Sequence, residues 1–223
     1  NTAVSYFNNN PDKQMAESKV YRPDLYEPGK LLFLNKKDNL YYINKYKPGN
    51  YEPIKPEKIS DIKPWEDMVE FIVEDEVERE YLLDWLGFVV QNHWVKIHSI
   101  VLIYTKHQRM GKGSIFDVMT DILGEENAEP TDINGIMDKG VTFAEKEFIL
   151  VDEMKTKGNY SETKHVSNAL KKLGTERRIS QRKLYVDTKV IETHTNYMIF
   201  TNNNDALNLD KEDDRFFIIS NLK

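Results

Sequence analysis

The 223-residue chain contains no cysteine. That excludes a disulfide framework, thiol catalysis and every cysteine-ligated zinc or iron–sulfur site, and it fits a reducing compartment. Long apolar runs are missing too. No stretch approaches the roughly 20 residues that cross a bilayer, and the first residues lack the basic-then-apolar layout of a signal peptide. A soluble, intracellular protein is expected. Positive charge is in overall deficit, with 31 Lys and Arg against 37 Asp and Glu for a formal net charge of −6, which taken alone argues against nucleic acid. What is present, 39% hydrophobic and 11% aromatic residues, suffices for one sizeable domain plus an appendage. The chain starts at Asn1 and stops just after the apolar run Phe216 to Ile219, so it reads as a piece of something longer.

The charge is unevenly placed. Residues 61–84 hold ten acids against two bases, and residues 155–189 hold ten bases against three acids, so a −8 block and a +7 block hide behind the global sum. In the acidic block Val77, Tyr81, Leu82, Trp85, Leu86 and Val89 recur at three- and four-residue spacing behind Pro64, a residue suited to a helix start. The acids therefore fall on the solvated faces of one or two helices.

Residues 1–60 are rich in Asn, Lys, Tyr and Pro, and Pro48, Pro53, Pro56 and Pro64 block long helices, which leaves short strands and extended linker. From Ser99 onward, short continuous apolar runs alternate with amphipathic stretches, the pattern of buried parallel strands and their covering helices. Ile100 to Tyr104, Phe148 to Val151, Tyr197 to Phe200 and Phe216 to Ile219 are the runs. Ile115, Val118, Met119, Ile122 and Leu123 mark one covering helix, and Val166, Ala169, Leu170 and Leu173 mark a second.

Directly after the first run comes Lys106-His107-Gln108-Arg109-Met110-Gly111-Lys112-Gly113-Ser114. Strand, Gly-Lys turn and helix form the context of a phosphate-binding loop, in which backbone N–H groups at a helix start wrap phosphate oxygens, a lysine reaches the terminal phosphates and a hydroxyl meets Mg²⁺. Gly111 and Lys112 fit that pattern. Lys106 stands at the first glycine position, and the hydroxyl is displaced past Gly113 to Ser114. The run Phe148 to Val151 then ends in Asp152 and Glu153, the Walker B arrangement that holds Mg²⁺ through Asp and polarises the attacking water through Glu. A later strand ends in Asn202, which suits either a nucleotide sensor or a simple turn. Arg215 opens the last strand, either as a finger reaching a neighbour's nucleotide or as a partner of Asp213 or Asp214.

The order Gly-Lys turn, Asp-Glu strand, basic segment, Asn strand and Arg resembles the superfamily-three helicases, the viral and plasmid branch of the AAA+ ATPases. The likeness extends over about residues 65–222, and it is greatest to the helicase domains fused to phage and plasmid primases and primase-polymerases. Its most specific stretches are Leu170 to Thr175, Ile179 to Lys183 and Thr193 to Asn203, with a helical lead-in at Leu83 to Gln91. The resemblance implies an α/β fold: an AAA+-like P-loop NTPase core with a mostly parallel central sheet, a β-hairpin insertion and a helical N-terminal lead-in. The implied division is an irregular segment at 1–60, the lead-in at 61–98 and the core at 99–223.

By the same resemblance ATP and Mg²⁺ are the cofactors. Gly111, Lys112, Gly113 and Ser114 hold the nucleotide, Asp152 and Ser114 the metal, and Lys112, Asp152, Glu153, Asn202 and Arg215 carry the chemistry, with Arg215 acting in trans. A hairpin with its tip near residues 183–187 places Arg182, Lys183 and Tyr185 on single-stranded DNA, offering phosphate charge and a stacking face. The implied partners are single-stranded DNA, further copies of the chain in a hexamer, and a primase-polymerase domain in the same polypeptide, in a host cell's cytoplasm. Three readings of activity stay open: a DNA helicase, an ATPase-weakened ring serving as DNA clamp and oligomerisation platform, and a small-molecule kinase on the same P-loop core.

Overall fold

A computed structural model describes residues 16–49, 55, 57–107, 110–137, 143–152, 160–181, 189–203, 207 and 213–221. The chain forms two compact units, residues 1–47 and 48–223. In the first, β1 (Ala16–Val20), β2 (Leu32–Asn35) and β3 (Leu40–Asn44) make a small sheet in the order β1-β3-β2, parallel between β1 and β3 and antiparallel between β2 and β3. Asn39 takes the left-handed turn position at φ 59°, one that Asn tolerates well. The Asn44 side chain accepts from the Arg22 N–H and donates to the Arg22 carbonyl, tying the end of β3 to the chain after β1.

The second unit is a three-layer α/β/α core. Helices α1 (Lys63–Ile72) and α2 (Glu76–Gln91) come first, with Pro64 in the first turn of α1 and Asp75 capping α2 through the Glu78 N–H at 2.9 Å. Strand β4 (Ile100–Thr105), α3 (Lys112–Leu123), β5 (Ala128–Thr131), the short α4 (Ile133–Met137), β6 (Phe148–Val151) and α5 (Tyr160–Thr175) follow. Then come β7 (Arg178–Gln181), β8 (Lys189–Glu192), β9 (Asn196–Thr201) and β10 (Phe216–Asn221). Five strands form one all-parallel sheet in the order β10-β4-β9-β6-β5.

The alternation along each central strand explains both layers. Val101 and Ile103 of β4, Phe148 and Leu150 of β6, and Met198 and Phe200 of β9 pack with α1, α2 and α3, through residues such as Ile72, Trp85 and Ile115. The intervening Ile100, Leu102, Ile149, Val151, Tyr197 and Ile199 pack with α4 and α5. With both faces covered, the strands read as unbroken apolar runs.

Three sequence expectations need correction or extension. Val77 does not join the buried stripe of α2: it is 74% exposed, because the stripe centres on Leu82, Trp85, Leu86 and Val89. Strand β5, Ala-Glu-Pro-Thr, escaped notice because it is an edge strand with no apolar run, where Pro130 is tolerated. The −8 block is indeed solvated, with all its acids exposed apart from the half-buried Glu78. The +7 block is less available than its count suggests, since Lys171 is 9% exposed and bridges Asp213 at 2.7 Å.

One close approach in this unit is testable. A Cβ added at Gly49 would stand 1.9 Å from the Ile122 carbonyl oxygen at the end of α3, a backbone atom with no room to yield. Gly49→Ala should destabilise the protein by about 2 kcal/mol or more, read as a clear fall in melting temperature. An unchanged melting temperature would contradict the packing described.

Candidate nucleotide site

The sheet brings the candidate residues to its C-terminal edge by register alone. Tyr104 pairs with Thr201 and Val151 with Ile199, so Thr105, Asn202 and Asp152 leave three adjacent strands at the same end. In parallel α/β sheets that end is where ligands bind, beside a switch in strand order such as the one at β4. Gly111 then turns the chain into α3 as its N-cap at φ 82°, ψ 5°, a conformation that a residue with a Cβ resists. Lys112, Gly113 and Ser114 form the first turn of that helix, and the Ser114 N–H donates back to the Gly111 carbonyl at 3.0 Å.

These residues enclose a cleft of about 560 Å³ lined by Gly111, Lys112, Gly113, Ser114, Asp152 and Asn202, together with Met110, Asp117, Phe200 and Thr201. The size suits a nucleotide-like ligand. Lys112 reaches across the cleft mouth: its Nζ donates to Asn202 Oδ1 at 2.8 Å, lies 3.5 Å from the Thr201 carbonyl and sits 5.8 Å from the Phe200 ring centre. Burial holds the Lys112 ammonium below its ordinary pKa, while the negative charge of Asp152 works the other way. A partly desolvated cation at a helix N-terminus is an anion receptor in its charge, its donors and its dipole.

Asn202 is held from two sides. Its Oδ1 accepts from Lys112, and the buried Thr105 hydroxyl lies 3.0 Å from the same oxygen and 2.9 Å from the His107 carbonyl. With the oxygen directed at these donors, the amide NH₂ lies on the other side of the group. Sequence reading missed Thr105, Asp117 and Phe200. Asp117 had a signal, standing three residues after Ser114 on the same helix face. Thr105 is the polar end of an apolar run, and nothing local distinguishes it from a turn residue.

The other candidates fall elsewhere. Arg215 immediately precedes β10, and its carbonyl accepts from the Ile100 N–H at the start of β4. It therefore sits at the opposite end of the sheet, roughly 20 Å of strand from the cleft. Of the two acids that the sequence offered it, the structure pairs it with Asp213, through Nε to Oδ1 at 2.6 Å and Nη2 to Oδ2 at 2.9 Å. The Asp213 carboxylate is 2% exposed and also bridges Lys171, so one acid is shared by two bases. Strands β7 and β8 pair antiparallel from Arg178–Glu192 to Gln181–Lys189, as the base of a hairpin. Glu153, Arg182, Lys183 and Tyr185 lie outside the described residues.

The Arg215 hydrogen bonds, with a smaller contribution from Lys171, hold Asp213 down at a pKa of about 2, from an ordinary 3.8. A depressed carboxylate stabilises the fold above its unfolded pKa, and that stability is lost as pH falls from 3.8 toward 2. The loss should reach about 2 kcal/mol. Denaturant unfolding between pH 5 and pH 2 should show a steeper acid loss for the wild type than for Asp213→Asn, and equal slopes would contradict the assignment.

A five-stranded parallel sheet whose three central strands are covered on both faces, with a glycine-lysine helix start at its C-terminal edge, defines a P-loop NTPase type of core. The chain belongs to the DUF5906 family, described as a family of unknown function, whose family model matches residues 103–215. No curated protein sequence matches the chain. Among solved structures, the apo C-terminal region of NrS-1 superposes with a TM-score of 0.76 at 18% identity, covering 91% of this chain and 47% of that one. Its A form gives a TM-score of 0.71 at 17% identity, covering 91% and 46%. A JCV helicase is more distant, with a TM-score of 0.45 at 9% identity over 70% of this chain and 42% of that one. The chain thus spans just under half the length of the NrS-1 region whose fold it shares. The AAA+-like core expected from the sequence is borne out. Among the described residues no helix is long and apolar enough to cross a membrane.

Proposed function

We propose that this chain is the ATP-dependent DNA helicase module of a phage or plasmid replication protein, working as a hexameric ring on single-stranded DNA. One observation carries the reading: Lys112 and Asn202 meet at 2.8 Å over a helix N-terminus, with Asp152 lining the same cleft. A triphosphate needs such a cation and amide, and its metal needs such a carboxylate. In this reading Gly111 and Gly113 offer backbone N–H groups to the phosphates, Ser114 offers its hydroxyl, and Lys112 neutralises the terminal phosphates. Asn202 presents its amide to the γ-phosphate or the lytic water, and Glu153 polarises that water.

Ser114 and Asp152 suit Mg²⁺, which binds through one or two protein oxygens, phosphates and water rather than in an all-protein cage. Held there, the ion would supply positive charge to offset the charge that develops on the phosphates.

Arg215 lies too far from its own cleft to serve it, and its side chain, 40% exposed, suits a finger for an adjacent subunit's nucleotide. In this reading Arg182, Lys183 and Tyr185, which lie in sequence between β7 and β8, contact single-stranded DNA through phosphate charge and a stacking face. The remaining part of the proposal is a primase-polymerase domain elsewhere in the same polypeptide.

A second reading, an ATPase-weakened ring that clamps DNA, is favoured by Lys106 at the first glycine position and Gly113 directly after Lys112. A forked-DNA assay separates the two. The helicase reading expects ATP-dependent strand separation that Glu153→Gln abolishes. The clamp reading expects DNA binding with no separation, and absence of both would sink the two together.

A further inference from the structure

Lys96 belongs to no motif, yet it is among the most buried charges of the described chain, 5% exposed in the loop between α2 and β4. Its Nζ donates to the Leu173 carbonyl at 2.5 Å and to the Thr195 carbonyl at 3.1 Å. It also stands 5.2 Å from the centre of the Tyr197 ring. Leu173 lies in the last turn of α5, where helix carbonyls have no partner of their own and the dipole favours a cation. Thr195 is the residue before β9. Between these two carbonyls lies the whole β7–β8 hairpin, so a single ammonium holds the chain where it enters the hairpin and where it returns.

The contacts around Lys96 make the return leg a continuous seam. The Trp94 carbonyl contacts His194 Nδ1 at 2.7 Å, the Val95 carbonyl accepts from Asn196 Nδ2 at 3.2 Å, and the Ile97 N–H donates to Asn196 Oδ1 at 2.8 Å. At the base itself, the Thr193 N–H donates to the Arg177 carbonyl at 2.9 Å. The seam gives the return leg several ties to residues 94–97. Between those residues and α5, the Lys96 ammonium supplies the hydrogen bond to Leu173. Burial pushes that ammonium down to a pKa of about 7, opposed by the charge of Glu176, so its two carbonyls bear on a group that pays heavily for leaving water.

We infer that Lys96 is a positioning residue that fixes both roots of the β7–β8 hairpin to the ATPase core, and that the grip of the hairpin on DNA depends on it. The second half rests on the reading of the hairpin as the DNA-contacting element. The first half stands on the geometry alone.

Lys96→Met keeps the length and volume of the side chain while removing the charge and the donors. Hydrogen exchange on the full chain decides the anchoring. Amides of the β7–β8 ladder, Ile179 and Ile191 among them, should exchange about tenfold faster in the variant than in the wild type, while those of β4 and β9 keep their protection. Equal protection of the ladder in both proteins would overturn the proposal, as would a uniform loss across the core. Fluorescence titration with a labelled oligo(dT) tests the consequence. Affinity should fall about tenfold in Lys96→Met while the KM for ATP holds. Unchanged DNA affinity would overturn the link to grip. A wild-type chain that binds no oligo(dT) would instead remove the DNA reading of the hairpin and leave the exchange result to decide the anchoring.

Discussion

Lys112→Ala should leave a protein that folds as before, with ATP hydrolysis reduced by about two to three orders of magnitude, the scale of losing one preorganised donor at a developing charge. The fold should survive because burial already disfavours the Lys112 cation, so removing it relieves a desolvation penalty. Its hydrogen bond to Asn202 is lost, yet the Asn202 oxygen keeps the Thr105 hydroxyl within 3.0 Å. Calorimetry separates the two effects. The melting temperature without nucleotide should match the wild type, whereas the stabilisation by Mg-ATP, about 2.7 kcal/mol at a hundredfold excess over Kd, should vanish. A variant that is still stabilised by Mg-ATP and still hydrolyses it would place the phosphates elsewhere.

Arg215→Ala should fall by about three orders of magnitude or more in turnover while still binding nucleotide, as expected for a residue that acts on a neighbouring subunit's transition state. The change also removes the main hydrogen-bond partner of buried Asp213 and should lower stability by up to about 2 kcal/mol, with Lys171 at 2.7 Å left as the counter-charge. Turnover is therefore compared at a temperature where the variant is folded. Acting in trans has a sharper consequence. Mixing Arg215→Ala with Lys112→Ala creates interfaces where an intact Arg215 from one variant faces an intact Lys112 cleft from the other, so the mixture should regain activity that neither protein has alone. A mixture as inactive as its components would argue that Arg215 serves only its bond to Asp213.

The sequence made β4, β6 and β9 legible because strands buried on both faces must be apolar throughout, β10 through its apolar run Phe216 to Ile219, and α2 and α3 through their periodic stripes. It hid β5, since an edge strand needs no such run. Gly111, Lys112, Asp152 and Asn202 were readable because phosphate chemistry demands those types at the ends of strands, and the parallel register then brings them together. Thr105 was not readable, because its role depends on a partner 97 residues away. Lys171 was misleading: counted as surface charge in the +7 block, it proves to be a buried partner of Asp213. Lys96 gave no signal at all. A lone lysine in a loop looks solvated until the fold puts two carbonyls over it. The net charge of −6 conceals where the charges lie: the acids of residues 61–84 fall mainly on α1 and α2, while the hairpin base carries Arg178 and Lys189.

In the proposed function the cleft at the start of α3 hydrolyses ATP in response to DNA. Phosphate release by the purified chain, followed with and without single-stranded DNA while sedimentation reports its oligomeric state, tests that claim most directly. Release should rise with DNA and appear only where the chain is assembled into rings. Hydrolysis by a monomer that is indifferent to DNA, or no nucleotide binding in any state, would contradict it.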